Sequence, residues 1–283
     1  IPRQGSMRGR AKPLPSFWHV IINPVALRGG SLDFWEEIST LLTQQGLSFK
    51  EWHTTSRDDA QIIARNLVAD GATSIIIVGG DGTLNEVVNG IMQCSEQAKN
   101  VILAVLPAGT GNDWSRTHRF PNNRNKIASM FLSGTIILHD IGRVDFKNHG
   151  AQGSRYFINI AGLGFDAAVI ERVHRARKFK VAKGLVYVKH LILSLMNYQP
   201  VDCRLVFDQE EMIKSVFSMT VGICKYNGNG MMPVPMADPT DGLLDVVVIE
   251  KMKTWQLLSQ IPALFKGTYI HHPKVFHRRV KSL

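Results

Sequence analysis

From Ser74 to Ile91 the chain reads SIIIVGGDGTLNEVVNGI: a β-branched run, glycines on either side of an acid, then apolar residues at helical spacing. An apolar run bounded by glycine marks a strand buried on both faces, and Leu84, Val87, Val88 and Ile91 recur with the period of a helix. A buried strand that turns straight into a helix is the repeating half of a parallel sheet covered by helices on both sides. The flanking sequence repeats the unit. FWHVIIN precedes a helical pattern of Phe34, Ile38, Leu41 and Leu42 that Gly46 ends, and LSFKEWH precedes a helix opened by Ser56 and Asp59. VILAVL supplies the next strand.

The rhythm changes near residue 140. IGRVDF, YFINIAG, VDCRLVF, IKSVFSMTVGI, LLDVVVIE and KVFHRRV read as strands without a helix between each, and FDQEEM as a hairpin turn. The expected organisation is an α/β, Rossmann-like domain over residues 7–140 and a mostly antiparallel domain over 141–283. The second is interrupted by ERVHRARKFKVAKGLVYVKHLILSLMNY, which reads as two helices or as a helix and a basic loop.

Charge limits the partners. A net charge of +10 favours nucleotides, nucleic acid or an anionic membrane surface. The cysteines, Cys94, Cys203 and Cys224, are far apart and suggest neither a disulfide framework nor a zinc site, which fits a reducing, cytoplasmic setting. Gly5-Ser6-Met7 reads as an expression scar before a start methionine. No apolar run approaches the ~20 residues that span a bilayer, so any membrane contact is expected to be peripheral. Trp18, Trp35 and Trp255 lie in apolar contexts and are expected in the core, and the histidines carry no assigned role.

In open parallel sheets ligands gather beyond the carboxyl ends of the strands. Four turns there are unusual: NPVALRGGS after the first strand, TTS after the second, GGDGT after the third and PAGTGND after the fourth. Glycine lets the backbone approach a ligand, and the helix start that follows favours phosphate. Asp81 beside phosphate is contradictory unless a divalent cation lies between them. The alternative is that the glycines make tight turns and Asp81 and Asp113 cap helices; four such turns on one edge favour the ligand.

GGDGTLNEVVNG, LPAGTGNDWSR, GLGFDA and DGLLD, in this order, resemble the diacylglycerol kinase catalytic-domain superfamily. The resemblance implies a phosphofructokinase-like nucleotide domain followed by a β-sandwich domain for the lipid. It implies transfer of the ATP γ-phosphate to a lipid hydroxyl, with diacylglycerol giving phosphatidic acid as the leading choice. By the family's pattern, Asn23, Thr55, Gly80, Gly82, Thr83, Gly109, Thr110 and Gly111 fall at nucleotide-contacting turns. Asp81, Asp113 and Asp140 match its Mg²⁺-binding carboxylate network, Glu86 is a supporting contact, and Arg28 and Lys180 are candidate phosphate partners. Leu27 stands where the family has glycine. A second, structural Mg²⁺ or Ca²⁺ is implied at Asp241, with carbonyls near Asp238 and Leu243; the alternative is a plain Asp-Gly turn. Bacterial members carry their general base in an LDGE-like segment, and its absence before Leu283 leads to the expectation that the natural chain continues.

The resemblance implies an anionic membrane surface as partner and allows a homodimer. The cations from Arg172 to Lys183, ahead of GLVYVKHLILSLM, are the expected membrane contact. An NAD kinase shares GGDGT, and a nucleotide- or lipid-binding regulator without catalysis remains a rival from another class. Nucleic acid would explain the charge but not the acids on the glycine edge.

Overall fold

The computed structural model describes residues 14–26, 31–121, 123–148, 150–165, 167 and 198–283. Two compact units divide the chain, Ile1–Ile158 and Asn159–Leu283.

The first unit is built on a parallel sheet of β1 (Phe17–Ile22), β2 (Ser48–His53), β3 (Ser74–Gly79) and β4 (Ile102–Pro107), in the order β2-β1-β3-β4. Alternate residues of these strands go to opposite faces. Trp18, Val20, Ile22, Ile76, Val78 and Leu106 pack with α1 (Ser31–Gln44) and α6 (Arg124–Ser133). Ile21, Ile75, Ile77 and Val105 pack with α2 (Asp59–Ala69) and α3 (Asp81–Met92). Both faces are covered, which explains why β3 reads as an unbroken apolar run. The helices α2 and α3 approach so closely that a Cβ at Gly90 would overlap the Gln61 carbonyl. Two short helices, α4 (Ser95–Ala98) and α5 (Asp113–Thr117), flank β4.

The order of the strands creates a switch point between β1 and β3, where successive connections leave in opposite directions. Register fixes what meets there: Ile22 lies opposite both His53 and Val78, and Gly79 opposite Pro107. The turns after all four strands therefore open from one edge.

The first unit extends beyond the boundary expected at residue 140, because an antiparallel hairpin of β5 (Gly142–Asn148) and β6 (Ala151–Phe157) belongs to it. Buried Asn89 on α3 ties the hairpin in: its amide donates to the Tyr156 carbonyl (2.9 Å) and its oxygen accepts from the Tyr156 N–H (3.0 Å). YFINIAG, expected as one strand, breaks after Phe157, and Ile158 packs with the first unit.

The second unit is an antiparallel sheet, β11-β10-β9-β7, with β8 also on β9. Its strands are β7 (Ile160–Gly164), β8 (Val201–Phe207), β9 (Glu210–Gly222), β10 (Leu244–Glu250) and β11 (Val275–Val280). The long β9 carries β8 along Glu210–Val216 and β7 along Ser218–Gly222. Val246 and Val248 face one buried cluster, and Val247 the other with Val234, Ala237 and Tyr269. Two short helices, α7 (Thr254–Ser259) and α8 (Ile261–Lys266), follow β10. Trp18 and Trp35 are buried as expected, but Trp255 on α7 is 65% exposed, on a helix that also leaves Leu258 exposed. Among the described residues no helix is long and apolar enough to cross a membrane.

Candidate active site

The switch point is bridged by side chains. Asn23, just past β1, donates to the Thr83 hydroxyl on α3 (2.9 Å), while its oxygen accepts from the N–H groups of Val25 (3.0 Å) and Ala26 (3.3 Å). One asparagine thus shapes the turn after β1 and fastens it to the turn after β3.

The glycine turns touch backbone to backbone. A Cβ on Gly109 would lie 2.5 Å from the Gly80 Cα, and one on Gly80 would lie 3.0 Å from the Gly109 Cα. Neither position has room for a side chain. Asn112 holds the second loop: it accepts from the Gly109 N–H (3.0 Å), donates to the Gly109 carbonyl (2.8 Å) and takes a left-handed φ of 51°. Asparagine tolerates that region better than most residues. Asn112 was missed as a site residue, although its place after the last glycine of PAGTGND is the available signal.

Asp81 joins the two loops. It opens α3, and its carboxylate accepts the N–H of Asp113 at Oδ2 (3.0 Å) and that of Trp114 at Oδ1 (3.0 Å). The capping alternative is therefore realised for Asp81, but on α5 across the site rather than on its own helix. Asp113 is buried, with Arg116 Nε 3.6 Å from its Oδ1. At Gly111 a Cβ would come within 3.1 Å of Asp81 Oδ2 and 3.3 Å of Asp113 Oδ2, so both carboxylates line a residue that cannot crowd them.

Asp140 is linked to the same place through its backbone. The Trp114 indole donates to His139 Nε2 (3.0 Å), and His139 Nδ1 lies 2.6 Å from the Asp140 carbonyl. Those partners require the neutral tautomer with its proton on Nδ1. Burial, the larger cause, lowers the His139 pKa, against the Asp140 carbonyl and charge. His118 lies against Trp114, 4.2 Å between centroids with the rings tilted by 45°, and burial followed by the neighbouring His139 pushes its pKa down to about 4. These imidazoles were given no role in the sequence reading.

The remaining candidates sit as follows. Gly82 and Thr110 are exposed, and a Cβ on Gly82 would meet nothing within 4 Å. Thr55 donates its N–H (2.7 Å) and hydroxyl (3.0 Å) to Asp59 Oδ2, closing the turn after β2. Glu86 reaches the start of α2, where Asp58 and Ala60 backbone groups bond it; burial is the larger influence and raises its pKa. Arg28, Leu27, Lys180 and the Arg172–Lys183 cations lie outside the described residues, as does Asp166 of GLGFDA.

At the Asp241 turn both acidic side chains are engaged by neighbours. Asp241 Oδ1 accepts from the Leu243 N–H (3.0 Å) and its Oδ2 pairs with the Arg279 guanidinium. Asp238 Oδ1 accepts from the Thr240 N–H (3.0 Å) and hydroxyl (2.7 Å). Arg279 also lies 3.4 Å from buried Asp245, whose other oxygen is 2.9 Å from His277. A cation at this turn would share Asp241 with the Arg279 guanidinium.

Residues 18–144 match the family described as the diacylglycerol kinase catalytic domain, and residues 159–283 match the YegS C-terminal NAD kinase beta sandwich-like domain. A diacylglycerol kinase of Staphylococcus carnosus is 27% identical over 277 residues, 98% of this chain and 84% of that protein. A diacylglycerol kinase of Mycobacterium tuberculosis is 27% identical over 265 residues, 93% of this chain and 82% of that protein. Among solved structures, a diacylglycerol kinase from Bacillus anthracis superposes with a TM-score of 0.65 at 22% identity, over 94% of this chain and 84% of that one.

Proposed function

Because the chain belongs to the diacylglycerol kinase catalytic-domain superfamily, we propose that this lipid kinase transfers the γ-phosphate of ATP to the free hydroxyl of diacylglycerol, giving phosphatidic acid. The observation that carries the reading is the meeting of Asp81 and Asp113 at Gly111, beside two glycine turns pressed together at the sheet's switch point.

In this reading the backbone N–H groups of the turns at Gly80–Thr83 and Gly109–Gly111 receive the nucleotide phosphates, and the Asn23–Thr83 bond holds the first turn in place. Mg²⁺, when bound, neutralises phosphate charge and stabilises the transferring group. Asp81 and Asp113 are the residues that fit it, through water, since each carboxylate oxygen has acceptor capacity beyond one N–H. Asp140 stands with them through the His139 and Trp114 links, and Arg28 and Lys180 are assigned to the phosphates on the family's pattern. The lipid hydroxyl attacks the γ-phosphorus in line as its bond to the ADP oxygen breaks; ADP leaves, the hydroxyl proton passes to the carboxylate base that the family carries in its LDGE-like segment, and most of the acceleration comes from positioning and fixed charge. A second, structural Mg²⁺ or Ca²⁺ at Asp241, with carbonyls near Asp238 and Leu243, is assigned on the family's pattern. The working location is the cytoplasmic surface of a membrane.

The test is transfer of labelled γ-phosphate from ATP into a lipid panel in mixed micelles, with and without Mg²⁺. Label in phosphatidic acid, dependent on Mg²⁺, is the expected result. Label in NAD instead, or in no lipid while ATP still binds, overturns the reading.

A further inference from the structure

We propose that the outer face of α7 and α8 is a docking surface for an anionic lipid bilayer. Gln260 keeps helical φ and ψ and accepts the Leu264 N–H (2.8 Å), so Thr254 to Lys266 form one nearly continuous helical run. Its inner side is paired: Ala263 and Leu264 pack against the cluster of Val234, Ala237, Val247 and Tyr269. Its outer side carries Trp255 (65% exposed), Leu258 (38%), Ile261 (45%) and Phe265 (49%), spaced at three or four residues so that they share a face. Large apolar side chains gathered in this way mark a contact surface rather than scattered exposure.

Charge selects the occupant. From Lys251 to Leu283 the chain has no Asp or Glu, while Lys251, Lys253 and Lys266 flank the stripe and are exposed. A second copy of this face would set cations against cations, whereas an anionic bilayer takes both the apolar stripe and the lysines. Tryptophan and leucine or phenylalanine on one side with lysines around them is the composition of a helix lying in a membrane interface. The inference deepens the lipid-kinase reading, because a substrate with acyl chains must be met at a bilayer. It is independent of the Arg172–Lys183 segment.

The probe is a vesicle of phosphatidylcholine with about one-third phosphatidylglycerol, against pure phosphatidylcholine. Of the five tryptophans only Trp255 is exposed, so its fluorescence reports on this face. The full chain is expected to co-sediment with the anionic vesicles, and brominated acyl chains to quench an emission that Trp255→Phe removes. Trp255→Glu and Phe265→Glu, checked for folding by circular dichroism, are expected to weaken partition at least tenfold. Loss of each lysine to Ala is expected to cost roughly fivefold on anionic vesicles only. Binding without quenching of Trp255, or burial of Trp255 in a lipid-free dimer, overturns the proposal.

Kinase turnover separates this inference from the one beneath it. Trp255→Glu should phosphorylate a short-chain, monomeric diacylglycerol at the wild-type rate and lose turnover on vesicles. Wild-type turnover on vesicles by that variant sinks the docking surface and leaves the kinase. Quenched Trp255 in a protein that phosphorylates no lipid sinks the kinase and leaves the docking surface.

Discussion

Gly109 and Gly82 are both glycines of the candidate site, and the structure gives them opposite reasons for being glycine. An Ala at 109 would place its Cβ 2.5 Å from the Gly80 Cα and 3.0 Å from Asn112 Oδ1. Carbon atoms pack at about 3.5–4.0 Å, so the two loops must part by about 1 Å. Overpacking of that kind costs roughly 1–3 kcal/mol, and a displacement of about 1 Å in a positioned group costs on the order of a hundredfold in rate. At Gly82 nothing lies within 4 Å and φ is not left-handed, so Gly82→Ala should stabilise α3 by about 0.5–1 kcal/mol. If the nucleotide fills that open space, the same methyl should weaken ATP binding at least tenfold. Thermal unfolding and ATP titration calorimetry on the two variants read both effects. Gly109→Ala is expected to lose stability and turnover together, and Gly82→Ala to gain stability while losing ATP. A Gly82→Ala enzyme that binds ATP like the wild type removes Gly82 from the nucleotide, and an undisturbed Gly109→Ala refutes the contact argument altogether.

Asp81→Ala leaves the Asp113 and Trp114 N–H groups without their acceptor. It should cost roughly 1–3 kcal/mol in denaturant unfolding as well as Mg²⁺-dependent turnover; full stability with lost turnover would confine Asp81 to the chemistry. If a structural ion sits at Asp241, EDTA should lower the wild-type Tm by several degrees and Mg²⁺ or Ca²⁺ should restore it; a Tm indifferent to all three leaves Arg279 as the partner of that carboxylate. His118, neutral in the fold with its pKa at about 4 against 6.5, gives up stability as pH falls, because the unfolded chain takes up the proton first. The loss should begin near pH 6.5, run to about pH 4 and amount to roughly 2 kcal/mol, allowing for partial exposure. Replacing His118 with Gln should flatten melting curves across that window, and an unchanged slope would contradict the assignment.

The strands and the glycine turns were legible because their signals are local: SIIIV can only be a strand covered on both faces, and GGDGT lies where the register delivers it. The hairpin's allegiance was not, because it depends on Asn89 meeting the Tyr156 backbone, a long-range match with no spacing to betray it. Trp255 misled for a related reason. TWQLLSQIPALF looks like core sequence, and only the packing shows that Ala263 and Leu264 take the inner side and leave the larger residues outside.

An acid between two glycine turns therefore has two physical reasons that support each other. As an acceptor, Asp81 draws the N–H groups of Asp113 and Trp114 to it and so fixes the second loop against the first. That contact is what presses Gly109 onto Gly80 and sets Asp113 beside Asp81 at Gly111. Two carboxylates held together repel each other, and the arrangement is offset in the folded chain by backbone N–H groups and by Arg116 near Asp113. A site assembled this way already carries the negative charge that a hydrated divalent ion would neutralise, and it carries it on helix starts that the sheet holds rigid. Asp81→Asn separates the two reasons: its amide can accept only one of the two N–H groups and opposes the other with an NH₂. Loss of stability in Asp81→Asn close to that of Asp81→Ala would show that fastening the loops needs the charged carboxylate itself. Stability near wild type, with turnover still abolished, would leave the charge to the hydrated cation alone.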